Sequence, residues 1–349
     1  MSQEMLGEWL KENGQPAFRA KQIRQWLDAG VTDFEQMTNL PKDLRCQLAE
    51  TFAIPGVTIL RKLTSSIDGT VKYLFRLDDG ETVESVLMQY KHGWSQCLST
   101  QVGCKMGCTF CATGIGGFIR NLSAAEMMAQ IETAQRDADV RVSSIVLMGM
   151  GEPLDNYDNV VQFLRMLGEE GGVHIGMRHI SLSTCGVVPG IRRLMKEQIP
   201  LTLSISLHAP NDTIRSRTMP VNRRWPIDEL LSACREYIEA TGRRISFEYT
   251  LIDGQNSSPA DAAHLAGVLN SALRGKPSRG EKFPIHVNLI PVNPVRETGL
   301  MPPSHAGIEA FRESLEKKGI RATVRRKLGP DINASCGQLR RQHKEEEKN

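Results

Sequence analysis

The chain has 349 residues, 40% hydrophobic and 24% charged, with a formal net charge of +3 and eight cysteines. That length can bury a full core and hold one large α/β domain with smaller appendages, and the composition excludes a disordered or fibrous chain. No apolar run follows an N-terminal basic stretch and no run of eighteen apolar residues occurs, so secretion and membrane spanning are not expected and the chain reads as cytoplasmic.

Residues 1–53 carry apolar side chains at helical spacing, with Pro41 as a helix start ahead of Leu44 and Leu48, and predict a small N-terminal helical domain. Residues 54–96 change to strand patterning. Lys72 to Leu77 and Thr82 to Gln89 form a hairpin about Asp79-Gly80, and Asp68-Gly69 marks the preceding turn. Residues 97–295 alternate strands with amphipathic helices. A strand ending at Thr100 is followed by Ser144 to Met150, His179 to Ser183, Leu201 to His208, Ile245 to Ile252 and Ile285 to Ile290. Ser123-Ala124-Ala125-Glu126 is a capping box that opens the first of these helices. Six parallel strands in right-handed βαβ units predict an α/β fold, a partial (β/α)6 barrel with its chemistry at the strand C-termini. Residues 296–349 are a C-terminal extension of helix, strand and tail. Between Arg321 and Lys344 it holds seven Lys/Arg against one acid, Asp331, a run that suits a phosphate-rich substrate and equally a solvated surface.

The strongest chemical signal is Cys104-Lys105-Met106-Gly107-Cys108-Thr109-Phe110-Cys111. A ferredoxin-type [4Fe-4S] cluster takes four thiolates, so three at this C-x3-C-x2-C spacing leave one iron open to another ligand, and the amino and carboxylate groups of S-adenosylmethionine fit it. A zinc knuckle borrowing Cys97 or a histidine is the alternative on spacing alone. In a reducing compartment the eight cysteines favour metal or catalytic use over disulfides, and Cys46, Cys185 and Cys234 read as core residues. Polar and glycine residues gather at successive strand ends: Gly149-Met150-Gly151-Glu152-Pro153, Ser183, Ser206-Leu207-His208 and Asn293. Singly each is ordinary turn chemistry; jointly they outline one ligand.

Together with Gln101-Val102-Gly103 before the first cysteine, Asn288-Leu289-Ile290-Pro291 and Ala334-Ser335-Cys336-Gly337-Gln338-Leu339, these motifs resemble the RlmN/Cfr family of radical S-adenosylmethionine RNA methyltransferases over essentially the whole chain. The resemblance implies that Cys104, Cys108 and Cys111 ligate the cluster. It also implies that Gly151, Glu152, Ser183, Ser206, Leu207, His208 and Asn293 surround S-adenosylmethionine, of which two molecules are used per turnover. Cys336 would become an S-methylcysteine, Cys97 would later attack it to form a transient disulfide, and Glu84 would handle a proton on the substrate base. Ser335 departs from many relatives directly before the cysteine. The implied substrates are a peptidyl-transferase-centre adenine of 23S rRNA and the adenine 3′ of the anticodon in tRNA, methylated at C2. The other branch of the family methylates C8 of the same ribosomal adenine and confers antibiotic resistance; Tyr90-Lys91-His92-Gly93-Trp94 has some similarity to it. A zinc-dependent RNA-binding module without catalysis is the alternative of another class.

Adenine C2 and C8 are electron-poor carbons that cannot displace a sulfonium methyl. A thiolate can, which accounts for a cysteine carrier charged before the radical step. A target adenine must leave its stack, so structured RNA loops are the expected substrates, with Arg19, Lys21 and Arg24 as candidate backbone contacts. A flavodoxin or ferredoxin system as electron donor and a monomeric state complete the expectations.

Overall fold

The computed structural model describes residues 3–31, 33–54, 56–168, 173–273, 285–294, 299–334 and 337–346. Helices α1 (Gln3–Glu12), α2 (Phe18–Asp28) and α3 (Lys42–Thr51) open the chain, α3 directly after Pro41. Their inward residues, among them Leu10, Ile23, Leu44 and Leu48, form with Met37 of the α2–α3 connection a core separate from that of the remaining chain.

Four antiparallel strands follow: β1 (Val57–Thr64), β2 (Val71–Leu77), β3 (Thr82–Tyr90) and β4 (Gly93–Cys97). The turns fall at Asp68-Gly69 and Asp79-Gly80, where both glycines have positive φ. A separate two-stranded sheet comes next, β5 (Gln101–Gly103) and β6 (Phe118–Asn121), with α4 (Ala112–Ile115) between them. Then α5 (Ala124–Ala138) begins on the expected capping box, with Glu126 N–H donating to Ser123 Oγ and Ser123 N–H to Glu126 Oε2. From there the chain alternates: β7 (Val142–Leu147), α6 (Tyr157–Gly168), β8 (Ile180–Thr184), α7 (Val188–Glu197), β9 (Thr202–Ser206), α8 (Asp212–Thr218), α9 (Ile227–Thr241), β10 (Ile245–Leu251), α10 (Pro259–Leu273), β11 (Ile285–Pro291), α11 (His305–Lys317), β12 (Arg321–Val324) and α12 (Gln338–Glu346).

All strands except β5 and β6 make one ten-stranded sheet in the order β1-β2-β3-β4-β7-β8-β9-β10-β11-β12. From β4 onward every pairing is parallel. Two details correct the sequence reading. The first parallel strand ends at Cys97, not Thr100, because the backbone past it turns into the small β5–β6 sheet; and β12 adds a seventh parallel strand after α11. The hairpin segment is also continuous with the barrel sheet through the β3–β4 pairing.

Strands buried on both faces usually read as unbroken apolar runs. Here they alternate. Ile180, Leu182, Leu203, Ile205, Phe247, Val287 and Leu289 share a core with helix residues Phe163, Ile191, Leu230, Leu265 and Phe311. Ser181, Ser183, Ser204, Ser206, Ser246, Glu248 and Asn288 occupy the other face. Those side chains bond to one another: Ser181 to Ser204 at 3.1 Å, Ser183 to Ser206 at 3.3 Å, and Asn288 Nδ2 to Glu248 Oε2 at 2.7 Å. The helices thus cover an apolar surface, and a polar inner face is left for a ligand. Among the described residues no helix is long and apolar enough to cross a membrane.

Candidate active site

The cysteine loop is held by backbone geometry. Gly103 has φ +80°, and a Cβ there would lie 1.9 Å from the Gly117 carbonyl oxygen, which instead accepts from Cys104 N–H at 2.9 Å. Cys111 N–H donates to Cys108 O, and Thr109 N–H to Thr218 O. Cys104, Cys108 and Cys111 are each partly exposed. Burial pushes the Cys104 thiol up to about 12 and that of Cys108 higher still, with the neighbouring thiols raising both. Three thiolates so close are stable only beside positive charge, which is the condition an iron–sulfur cluster fits.

Phe110, between the second and third cysteines, meets the His208 ring edge-on at 5.0 Å. His208 follows β9 with φ +54°, a conformation non-glycine residues seldom adopt. Its Nδ1 accepts from Thr250 N–H at 2.9 Å, and burial holds its pKa down at about 3, so the ring is neutral. Asn256 ties the same corner, donating to His208 O and Thr250 O.

Glu152 lies beyond β7 and is 3% exposed. Its carboxylate accepts from Leu154 N–H at 3.0 Å and Cys185 N–H at 2.7 Å, and its own N–H donates to Gln101 Oε1. Burial raises its pKa despite those bonds, and no cation stands within ion-pair distance among the described residues. Gly151 (φ +106°) sits so close to Gln101 that a Cβ would approach it to 2.6 Å. Arg215, wholly buried, spans the neighbouring strand ends, donating to Leu207 O, Ser206 O, Cys185 O and Asn222 Oδ1. Ser183 and Ser206 meet on the polar face, and Leu207 is buried behind it. Asn293 is half-buried past the end of β11. The contacts therefore link the cysteine loop with the ends of β7, β8 and β9, while Asn293 stands on the β11 side.

A second group lies on β2–β4. Lys72 and Cys97 both face Val86, and Glu84 shares that face two residues along β3. Lys72 and Glu84 are each 1% exposed and pair at 3.1 Å. Glu84 also accepts from Gly337 N–H and Arg340 N–H, both at 2.7 Å, while Lys72 Nζ donates to Asn333 O at 3.0 Å. Cys97 is buried with Val86 and Met88 beneath Leu328 and Ala334. Gly337 in turn abuts the cysteine loop, where a Cβ would stand 2.5 Å from Thr113 N. Cys336 itself lies outside the described residues, but Asn333 before it is held by Lys72, and Gly337 after it by Glu84 and Thr113.

Lys72, Arg215 and Asn256 were not singled out from sequence, and Gln101 was noted only as part of the motif before the first cysteine. Their partners are backbone carbonyls or side chains distant in the chain, which leave no local motif.

Residues 98–266 match the family model of the radical SAM superfamily, and residues 1–54 match that of the ribosomal RNA large subunit methyltransferase N-terminal domain. A solved radical SAM methyltransferase from Sphaerobacter thermophilus superimposes with a TM-score of 0.87, 45% identity and coverage of 97% of each chain. The fold is that of a radical SAM enzyme, with a [4Fe-4S] cluster and S-adenosylmethionine as cofactors. Probable dual-specificity RNA methyltransferases RlmN from Alkaliphilus oremlandii and Clostridium tetani are 54% and 48% identical, over 97% and 98% of this chain and 95% of each relative. The chain belongs to the RlmN family of radical SAM RNA methyltransferases.

Proposed function

We propose that the protein methylates C2 of a peptidyl-transferase-centre adenine in 23S rRNA and of the adenine 3′ of the anticodon in tRNA. The observation that carries the reading is that Gly337, directly after Cys336, is held between Glu84 and Thr113 of the segment after the cysteines, while Asn333 and Ala334 before it lie against Lys72 and buried Cys97. The dual specificity named for the relatives supports the two substrates.

In this reading Cys104, Cys108 and Cys111 hold the cluster, and Gly151, Glu152, Ser183, Ser206, Leu207, His208 and Asn293 hold S-adenosylmethionine. When bound, these groups supply a methyl donor and a one-electron hydrogen abstraction that activates the methyl carried by the protein. Glu152 receives an ammonium; neutral His208 and the polar strand face orient the remainder of the ligand. Cys336 as thiolate takes the methyl group and presents it to the base. Glu84 accepts the proton leaving the adenine carbon, exchanging an amide partner to do so. With the activated carbon on Cys336 bonded to the adenine carbon, the ring proton taken by Glu84 and the electron spent in activation returned, the Cys97 thiolate attacks the Cys336 sulfur. The carbon–sulfur bond breaks, and its electron pair and a proton complete the new methyl on the released carbon. Product departs, and the resulting disulfide is reduced before the next turnover. Residues 1–53 grip the RNA, residues 54–96 supply Glu84, residues 97–295 form the radical core and residues 296–349 carry Cys336. A flavodoxin or ferredoxin delivers electrons to a monomer.

The test is nucleoside mass spectrometry of unmodified rRNA and tRNA incubated anaerobically with cluster-loaded protein, S-adenosylmethionine and a reductant. Formation of 2-methyladenosine in both RNAs, abolished by Cys336→Ala, is the expected result. Formation of 8-methyladenosine, or activity surviving in Cys336→Ala, overturns the assignment.

A further inference from the structure

Seven large apolar side chains stand exposed among the described residues, and three of them, Ile115, Phe118 and Ile119, fall in the five-residue stretch Ile115-Gly116-Gly117-Phe118-Ile119 just after the cysteine loop. Their exposures are 47%, 38% and 44%. Single exposed apolar residues need no explanation, but a cluster of three on one tip does.

The tip is built rigidly. Gly116 and Gly117 N–H donate back to Thr113 and Gly114 carbonyls, Gly117 O receives Cys104 N–H, and β6 pairs with β5 from Gly103↔Phe118 to Gln101↔Asn121. At its base Arg120 bonds both Glu126 oxygens and Asp79. An apolar tip held out from a braced hairpin has the form of a wedge.

Its surroundings favour an anionic, π-faced partner. The Lys105 ammonium stands 5.4 Å from the Phe118 ring centroid and is paired with Asp155 at 2.7 Å, so the unpartnered positive charge nearby comes from elsewhere. At the end of β12, Arg326 and Lys327 are exposed and make no ion pair among the described residues. The chain runs from them through Leu328 and Ala334, which pack over Cys97, to Gly337 on Thr113, and the Arg340 guanidinium lies beside Gly116. The tip is thus contiguous with the segment that carries Cys336. Apolar side chains are what nucleic-acid proteins insert between bases when they unstack them, and a base in a stack is out of reach of a buried thiol.

We propose that Ile115, Phe118 and Ile119 form a wedge that enters the RNA stack beside the target adenine and holds it extruded, with Arg326 and Lys327 gripping flanking phosphates. This rests on the RNA-methylating reading above and deepens it.

The test places 2-aminopurine at the target position of a tRNA anticodon stem-loop, where its fluorescence reports unstacking, and compares wild type, Phe118→Ala/Ile119→Ala and Phe118→Trp in cluster-loaded protein. Wild type raises the fluorescence. The double variant is expected to lose most of that rise and to bind the RNA about tenfold more weakly, a loss within the range for stacking contacts, while iron content and visible absorbance stay unchanged; Phe118→Trp restores the rise. Methylation of natural RNA by the double variant should fall alike with dithionite and with flavodoxin. A defect confined to flavodoxin-driven turnover overturns the wedge in favour of a docking face for an electron-donor protein. An unchanged fluorescence rise in the double variant, with wild type making 2-methyladenosine, overturns the wedge alone. Wild type that neither binds nor methylates RNA overturns the reading beneath it as well.

Discussion

Glu84 and Glu152 are both buried carboxylates accepting two backbone N–H bonds, yet only one has a cation. Lys72 stands 3.1 Å from Glu84 and belongs to the same sheet, so that charge is neutralised within the chain. Glu152 has amides and the neutral side chains of Thr184 and Cys185 but no cation, and burial raises its pKa. A buried carboxylate with its counter-ion in the chain braces the elements it joins, whatever chemistry it also performs, whereas burial without a counter-ion raises the pKa and suits the charged ligand proposed for Glu152.

Breaking the Glu84 pair should produce the largest effect. Lys72→Met strands a buried carboxylate and should cost about 3–5 kcal/mol, read as a lowered denaturation midpoint. Adding Glu84→Gln should recover most of that loss. A double variant no more stable than Lys72→Met would mean that Lys72 matters for packing, not charge. Because Glu84 also anchors Gly337 and Arg340, the single variant should lose hydrogen-exchange protection across 337–346.

At Glu152 the expected pattern is reversed. A carboxyl whose folded pKa is raised binds more protons in the folded than in the unfolded state, so its contribution to stability falls as pH rises through the raised pKa. Glu152→Gln protein without cofactor should therefore be at least as stable as wild type at neutral pH, an advantage that shrinks on acidification. S-adenosylmethionine affinity should drop more than tenfold, measured by anaerobic equilibrium dialysis. A destabilised variant with unaltered affinity would make Glu152 another structural carboxylate.

His208 sharpens the comparison as a buried base with no counter-charge. Its pKa of about 3 lies below the unfolded value, so the unfolded state binds more protons, and stability declines as pH falls from about 6.5 toward 3. His208→Ala should remove that acid sensitivity and cost about 1–3 kcal/mol by stranding Thr250 N–H. His208→Asn, which tolerates positive φ and keeps an acceptor, should cost less. A variant retaining the wild-type acid profile would assign it to other groups.

Much of the architecture was legible because its signals are local. The Asp79-Gly80 turn and the Ser123/Glu126 capping box each fall within a few residues. The cysteine spacing was equally plain, and the polar positions named at strand ends do stand in or past β7, β8, β9 and β11. What escaped depends on partners far apart in sequence. Nothing in Val71-Lys72-Tyr73-Leu74 marks a lysine whose counter-ion lies across a hairpin and whose carbonyl partner is Asn333. Arg215 is invisible for a similar reason, since a guanidinium satisfied mainly by carbonyls has no sequence signature. A strand was expected in the C-terminal extension, but its place as the seventh parallel strand was missed, because β12 is four residues long with two exposed and only its pairing with β11 puts it in the sheet.

The smallest expected effect applies the same distinction to the N-terminal helices. Arg24 lies 3.6 Å from Glu132 of α5, whereas Lys21 is exposed and enters no ion pair among the described residues. If in-chain partnering marks structural charge, Arg24→Gln should lower stability by under ~1 kcal/mol and leave RNA binding nearly unchanged. Lys21→Gln should leave stability unchanged but reduce the slope of log Kd against log salt by about one, the signature of one lost phosphate contact. Titrating each variant against the same stem-loop at several salt concentrations distinguishes them. Equal slopes for wild type and Lys21→Gln, with a reduced slope for Arg24→Gln, would show that RNA binding recruits the partnered charge, and the rule drawn from Glu84 and Glu152 would not extend to this surface.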